Sequence, residues 1–168
     1  MILTRPQIMR RIKQKQIIIN PFDKSAIGPA SVDLSLGNEL RVFNPGNSVI
    51  LLSESDDYKK ITKKVDISKG YVLRPHELVF GITKEKITLP GNICGWLQSR
   101  SRFARFGLMS HITAPFICPG VSNHQVLEIF NAGSHKLELM PGMKLCQIIF
   151  QLCKGEARYK GIFKSQEL

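Results

Sequence analysis

The 168-residue chain has four cysteines, Cys94, Cys118, Cys146 and Cys153, and no two of them form a CxxC pair. The spacings that build structural zinc sites or a disulfide framework are therefore missing, and free thiols are expected in an intracellular chain. No apolar run approaches the ~20 residues of a membrane span, and the opening MILTRPQIMRRIKQ lacks the apolar stretch of a secretory signal. A soluble cytoplasmic protein without a membrane partner is the expectation. Aromatic residues make up 8 % of the chain and there is one tryptophan, Trp96, in an apolar stretch that reads as buried. That is a poor supply of stacking platforms for nucleic acid. Acidic residues are also scarce, 13 against 24 basic ones, for a formal charge of +11. Such a balance favours polyanionic partners, and the lack of exposed aromatics weighs against nucleic acid among them.

What is present is enough for one ordinary core. The hydrophobic fraction is 43 %, and a chain of this length buries about 70 % of its unfolded surface, so residues 1–168 read as one domain. Thr4 followed by Gln7 is a capping-box pattern with Pro6 in the first turn, predicting a helix over 4–15 and a strand in the β-branched run Ile17-Ile18-Ile19. From Val32 onward come short apolar stretches separated by Gly, Pro, Asn and Asp: VDLSL, LRVF, SVILL, YVL, LVFGIT, ICGWLQ, VLEIF, KLELM and KLCQIIF. These predict a mainly β fold, a distorted antiparallel barrel with a short N-terminal helix and minor helical turns. Residues 53–66, SESDDYKKITKKVD, read as an exposed loop or edge excursion, and the tail 154–168 as a loose terminus or a lid.

Two segments concentrate chemistry. QSRSRFARFG, residues 98–107, follows a strand-like run and reads as one helical turn closed by Gly107. Its amides, hydroxyls and guanidinium forks suit phosphate oxygens, and a surface turn whose arginines pair with carboxylates is the plain alternative. HITAPFICPGVSNHQVLEIFN, residues 111–131, predicts strands at 111–117 and 125–131 around the Pro119-Gly120 turn. Alternation puts Val126, Glu128 and Phe130 on one face. Glu128 is then either a solvated outer residue or an inward carboxylate with a partner and a raised pKa, suited to general acid–base work. His111 reads as a hydrogen-bonded structural residue and His124 as a solvent-exposed one.

Together the segments PASVDLSLGNEL, LPGNICGWLQSRSRFARFGL, HITAPFICPGV, VLEIFNAG and LMPGMKLCQIIF resemble the dCTP deaminase and dUTPase family. The resemblance implies a barrel-like subunit assembled as a homotrimer with sites between subunits, acting on dCTP or dUTP with Mg²⁺ accompanying the triphosphate and no zinc. SRSRFAR is similar to the family's RSSLAR motif, which implies triphosphate contacts from Arg100, Ser101 and Arg105, with Arg102 standing where a second serine is usual. Arg102, Gln147 and the tail residues Tyr159 and Gln166 would be further contacts on the triphosphate side, and Tyr159, Phe163 and Gln166 fit the family's lid pattern loosely. Glu128 matches the deaminase glutamate, Ser101 and the Ala114 carbonyl would help to hold the attacking water, and backbone near Ala114 and Val126 would read the base. Asp33 resembles the aspartate of the first motif and fits a structural role at least as well as a catalytic one. The zinc deaminase pattern H-x-E…P-C-x-x-C is not found in the chain.

The match breaks at Cys118, where the family usually has an aspartate associated with attack on the phosphate chain. A thiol with an ordinary pKa of about 8.5 does not replace a carboxylate of about 3.9 as a base. The expectation is therefore deamination of dCTP to dUTP and ammonia, with dUTP diphosphatase or bifunctional chemistry as the alternative.

Overall fold

The computed structural model describes residues 1–53, 56–161, 166 and 168. A nine-residue helix, α1 (Arg5–Lys13), is followed by eleven strands: β1 (Ile18–Asn20), β2 (Val32–Phe43), β3 (Thr62–Asp66), β4 (Tyr71–Leu73), β5 (Leu78–Thr88), β6 (Ile93–Ser99), β7 (Leu108–Met109), β8 (Phe116–Ile117), β9 (Ser122–Asn131), β10 (Leu137–Leu139) and β11 (Lys144–Leu152). One helical turn, α2 (Ser101–Ala104), sits between β6 and β7, and short 3-10 turns occupy Lys24–Ala26 and Tyr58–Ile61. All strand pairs are antiparallel, and the main sheet runs β7-β9-β5-β2-β11-β6-β8, with β1 added to β5 and β3 to β2.

Strand β2 makes this a curled half-barrel. Its first residues pair with β11 and its later ones with β5 and β3, with a register shift between Leu36 and Leu40 where the strand passes from one half of the sheet to the other. A bulge of this sort increases twist and bends the strand. The concave side encloses Leu34, Leu36, Leu40, Ile93, Leu127, Ile129, Ile148 and Phe150, each with essentially no solvent exposure.

Several local expectations are corrected. The helix is shorter than 4–15, and the Thr4 side chain makes no cap hydrogen bond, so Pro in the first turn and the buried Ile8 hold its start. VDLSL and LRVF are one continuous strand, β2. SVILL is not a strand: after the Asn44-Pro45-Gly46 break the place beside the end of β2 is taken by β3, with Phe43 opposite Thr62 and Leu40 opposite Val65. Of the two readings of the polar stretch, its end takes the edge one: β3 is an edge strand whose exposed Lys63 and Lys64 suit an unpaired edge. Strand β8 is two residues long, because residues 111–115 turn away to serve the site described below.

The fold's dependence on its largest fully buried side chain is testable. Phe150→Ala should lower unfolding free energy by about 3–5 kcal/mol, seen as a lower denaturant midpoint at unchanged slope; a midpoint within error of the parent would mean that the core does not close around Phe150.

Candidate active site

In β9 the odd-numbered residues from Asn123 to Asn131 are buried, and His124, Val126, Glu128 and Phe130 form a half-buried outer row. Glu128 stands opposite Phe80 of β5, whose ring meets Tyr58 at 5.3 Å and Phe43 at 5.4 Å between centroids. A carboxylate beside such an apolar row needs donors. It finds them in the segment that leaves β7: Oε2 accepts from the Ile112 amide at 3.1 Å and the Thr113 amide at 2.6 Å, and Oε1 accepts from the Thr113 hydroxyl at 2.7 Å. Burial pushes the Glu128 pKa up, and the Thr113 hydroxyl, the Thr113 and Ile112 amides and the nearby His111 outweigh it, leaving the group below its ordinary value. Neither alternative holds whole: the carboxylate is on the outer face, as in the solvated reading, and paired, as in the inward one, without the raised pKa that went with the latter. Glu128 lies on the outer face yet is fully engaged.

His111 departs from its expected role. Its Nε2 is enclosed and has no hydrogen-bond partner. Burial lowers its pKa more than the Glu128 charge raises it, so the imidazole stays neutral at pH 7. His124 is half-buried rather than solvent-exposed, with Nδ1 2.9 Å from the Thr83 carbonyl. Ala114, the expected water and base contact, is exposed in the same segment, and Val126 lies one step along the outer row from Glu128.

The phosphate-suited turn forms where expected. Arg100 is the N-cap of α2, and the turn closes at Gly107 with φ +82°, where a Cβ would come within 2.7 Å of the Gly133 nitrogen. Ser101, Arg102 and Arg105 are exposed along it. Arg100 is held from beneath: Nη2 lies 3.0 Å from Asp33 Oδ2, and Nη1 donates to the Lys144 carbonyl at 2.8 Å. Burial raises the Asp33 pKa, and the Arg100 and Lys144 charges pull it back only in part. Asp33 thus positions Arg100. Gln147 Oε1 accepts from the Ser31 hydroxyl at 2.6 Å. The two halves of the site are tied through Ser99, whose Oγ accepts from the Ser110 amide and hydroxyl at 3.2 and 3.0 Å.

The described part of the tail bonds to the turn before β6 and to the turn after β8. The Ala157 amide donates to the Gly91 carbonyl at 2.8 Å and the Tyr159 amide to the Pro119 carbonyl at 3.0 Å. Gln166 is half-buried and Leu168 buried, whereas Phe163 lies outside the described residues. Trp96, read as buried, is half-buried against Phe116 at 4.9 Å between centroids, with Nε1 donating to Gln151. Among the described residues no cluster of three or more His, Cys, Asp or Glu could hold a metal ion, and no helix is long and apolar enough to cross a membrane.

Residue-type reasoning missed Thr113, the Ile112 amide and the environment of His111. Their only sequence signal is position, immediately before Ala114 in HITAP.

A model of the dCTP deaminase-like family matches residues 2–153. The dCTP deaminase of Marinomonas sp. (strain MWYL1) is 42 % identical over 160 residues, covering 89 % of this chain and 82 % of that protein. The dUMP-forming dCTP deaminase of Persephonella marina is 30 % identical over 168 residues, covering 99 % and 93 %. Among solved structures, the 2'-deoxycytidine 5'-triphosphate deaminase from Agrobacterium tumefaciens superposes with a TM-score of 0.69 at 23 % identity, over 90 % of this chain, which spans about half (48 %) of that one. EIAV dUTPase shares the fold at a TM-score of 0.54 and 17 % identity, covering 86 % of this chain and 95 % of that one. With a family model spanning nearly all of its length and relatives this close, the chain belongs to the dCTP deaminase-like family.

Proposed function

We propose that the protein hydrolyses dCTP to dUTP and ammonia. The observation that carries this reading is a carboxylate, Glu128, held at a fixed place on the outer row of β9 by the amides and hydroxyl of Ile112 and Thr113. Water adds to the cytosine C4 as one of its protons passes to the carboxylate; that proton is delivered to the amino group, which leaves as ammonia, and the remaining hydroxyl proton ends on N3 as C4 becomes the uracil carbonyl. One carboxylate serves both transfers when the water is held still. The Ser101 hydroxyl and the Ala114 carbonyl are assigned to hold that water, with backbone at Ala114 and Val126 reading the base edge. Arg100, Ser101, Arg102 and Arg105 take the triphosphate, Arg100 pre-aimed by Asp33. Gln147, Tyr159 and Gln166 are assigned further triphosphate contacts, and the tail 154–168 the role of a lid.

A clamped carboxylate of low pKa is a weak base. Substrate therefore has to exchange part of the Thr113 clamp for water and the leaving amine, which raises the Glu128 pKa toward its task. A homotrimer with sites between subunits is the assembly that fits the family. Mg²⁺ arriving with the triphosphate draws its oxygens from phosphate and water and needs no protein cage. Asp33, the carboxylate beside the turn, is already engaged by Arg100. The cytoplasm is the natural compartment for this nucleotide chemistry.

The second reading, cleavage of dUTP to dUMP and pyrophosphate, is favoured by the dUMP-forming enzymes among the relatives. Cys118 argues against it. It stands half-buried in the turn after β8 where the family's aspartate is usual, so release of dUTP as the end product is the proposal.

The test is incubation with Mg²⁺ and dCTP or dUTP, resolving nucleotides while assaying ammonia and pyrophosphate. Ammonia and dUTP from dCTP are expected, with Glu128→Gln slower by at least about 10²-fold; dUMP and pyrophosphate from dUTP, with dCTP inert, would overturn the assignment. Thr113→Val removes a bond to the charged form of Glu128, so the acid limb of kcat/KM should move to higher pH; an unmoved limb would detach Thr113 from the titrating group. Asp33→Asn should raise KM for dCTP several-fold with little change in kcat, through the loosened Arg100, and a purely catalytic defect would contradict that positioning role.

A further inference from the structure

Cys94 and Cys153 take no part in the chemistry above, yet the fold sets them side by side. In the β6–β11 ladder Cys94 stands opposite Gln151 and Ile93 opposite Leu152. Beyond the strand end the Cys153 amide donates to the Asn92 carbonyl at 2.9 Å. The two cysteines are therefore diagonal neighbours on one face of the sheet, within reach of each other's side chains. Cys94 Sγ points toward the Gln151 carbonyl at 3.6 Å, on the face and in the direction of Cys153. Cys94 is 4 % exposed and Cys153 half-buried, so only the second is open to a reagent from solvent. The other two cysteines, Cys146 inside the core and Cys118 in the turn after β8, have no such thiol partner given by the structure.

The position of the pair gives it a consequence. Cys153 is the residue at which β11 hands the chain to the tail, and Cys94 is the second residue of β6, which leads directly to Arg100 and Ser101. Past Cys153 the tail is held by two backbone bonds, Ala157 to Gly91 and Tyr159 to Pro119. It also crosses Gly120, where φ is +75° and a Cβ would stand 3.0 Å from the Arg158 Cα. A covalent link at the tail's root would restrict every excursion that starts there.

We propose that Cys94 and Cys153 form a site of reversible oxidation, closing an intrachain disulfide that pins the root of the tail to the start of β6. With a hydroperoxide as oxidant, the Cys153 thiolate attacks the O–O bond, giving a sulfenic acid and an alcohol. The Cys94 sulfur then attacks the Cys153 sulfur and expels water. Two thiols lose two protons and two electrons, and the hydroperoxide is reduced to an alcohol and water. Burial and the neighbouring thiol push the Cys94 pKa up to about 11, which with its burial leaves the more open Cys153 to meet the oxidant first. A small dithiol reverses the step by exchange.

The experiment treats the full chain with hydrogen peroxide, traps remaining thiols with N-ethylmaleimide under denaturing conditions, and maps peptides by mass spectrometry. Two of the four thiols should disappear into one Cys94–Cys153 linkage, with Cys118 and Cys146 alkylated. Tryptic cleavage in the exposed stretch holding Lys154, Arg158 and Lys160 should slow several-fold and recover with dithiothreitol. Cys94→Ala should carry Cys153 on to the sulfinic acid, and Cys153→Ser should leave Cys94 alkylated. Four alkylated thiols after peroxide, a linkage to Cys118 or to another chain, or unchanged tail cleavage in the bridged protein would each overturn the proposal.

Discussion

The in–out alternation of β9 is the constraint on which the site depends. Asn123, Gln125, Leu127, Ile129 and Asn131 are all buried, and a slip of one residue would place Glu128 in the core and Leu127 in water. The alternation is held on both sides, by β5 from Leu78 to Thr88 and by β7 at Leu108 and Met109. β7 is also where the chain departs toward His111 and Thr113, so the strand that fixes Glu128 is paired with the one that delivers its donors. The short β8 and the irregular 111–115 segment follow from this. Amides spent on a carboxylate cannot join a ladder.

The charge of Glu128 also links the site to stability. Its folded pKa lies below the ordinary 4.5, so its contribution to folding is present above that ordinary value and is lost as pH falls through the depressed one. His111 behaves alike in direction. Its pKa is depressed from 6.5, so stability from burying it neutral is present above 6.5 and declines as acid forces a charge onto an enclosed nitrogen. Both groups favour the folded state near neutrality and lose that advantage in acid. The Asp33–Arg100 pair is more modest, since both side chains keep about a quarter of their exposure and solvent screens them. Its importance is directional, aiming Arg100 rather than stabilising the barrel.

Much of this was legible before the fold was known. Alternation around Glu128, the turn at Gly107 and the β-rich architecture all follow from residue spacing, because strand periodicity and a glycine closing a turn are local effects. The failures are non-local. SVILL has the composition of a strand, but pairing beside β2 went to Thr62–Asp66, a competition that composition cannot decide. The Thr4 cap failed although its pattern was right, and Glu128 is on the outer face yet paired, with a lowered pKa, because donors sixteen and fifteen residues earlier turn back to it. Position 118 carries the reverse lesson. The bearing proposed for it on which nucleotide bond is cut rests on one residue type, Cys118, read from the sequence.

In the proposed reaction substrate loosens the clamp on Glu128. The direct measurement is a carbon-13 titration of the Glu128 carboxyl, with Glu128→Gln to assign the resonance, in the free protein and with a non-hydrolysable dCTP analogue and Mg²⁺. A midpoint below the ordinary glutamate range in the free protein, rising when the nucleotide is bound, is the expected result of that loosening. An ordinary or raised midpoint in the free protein, or no movement on binding, would contradict it.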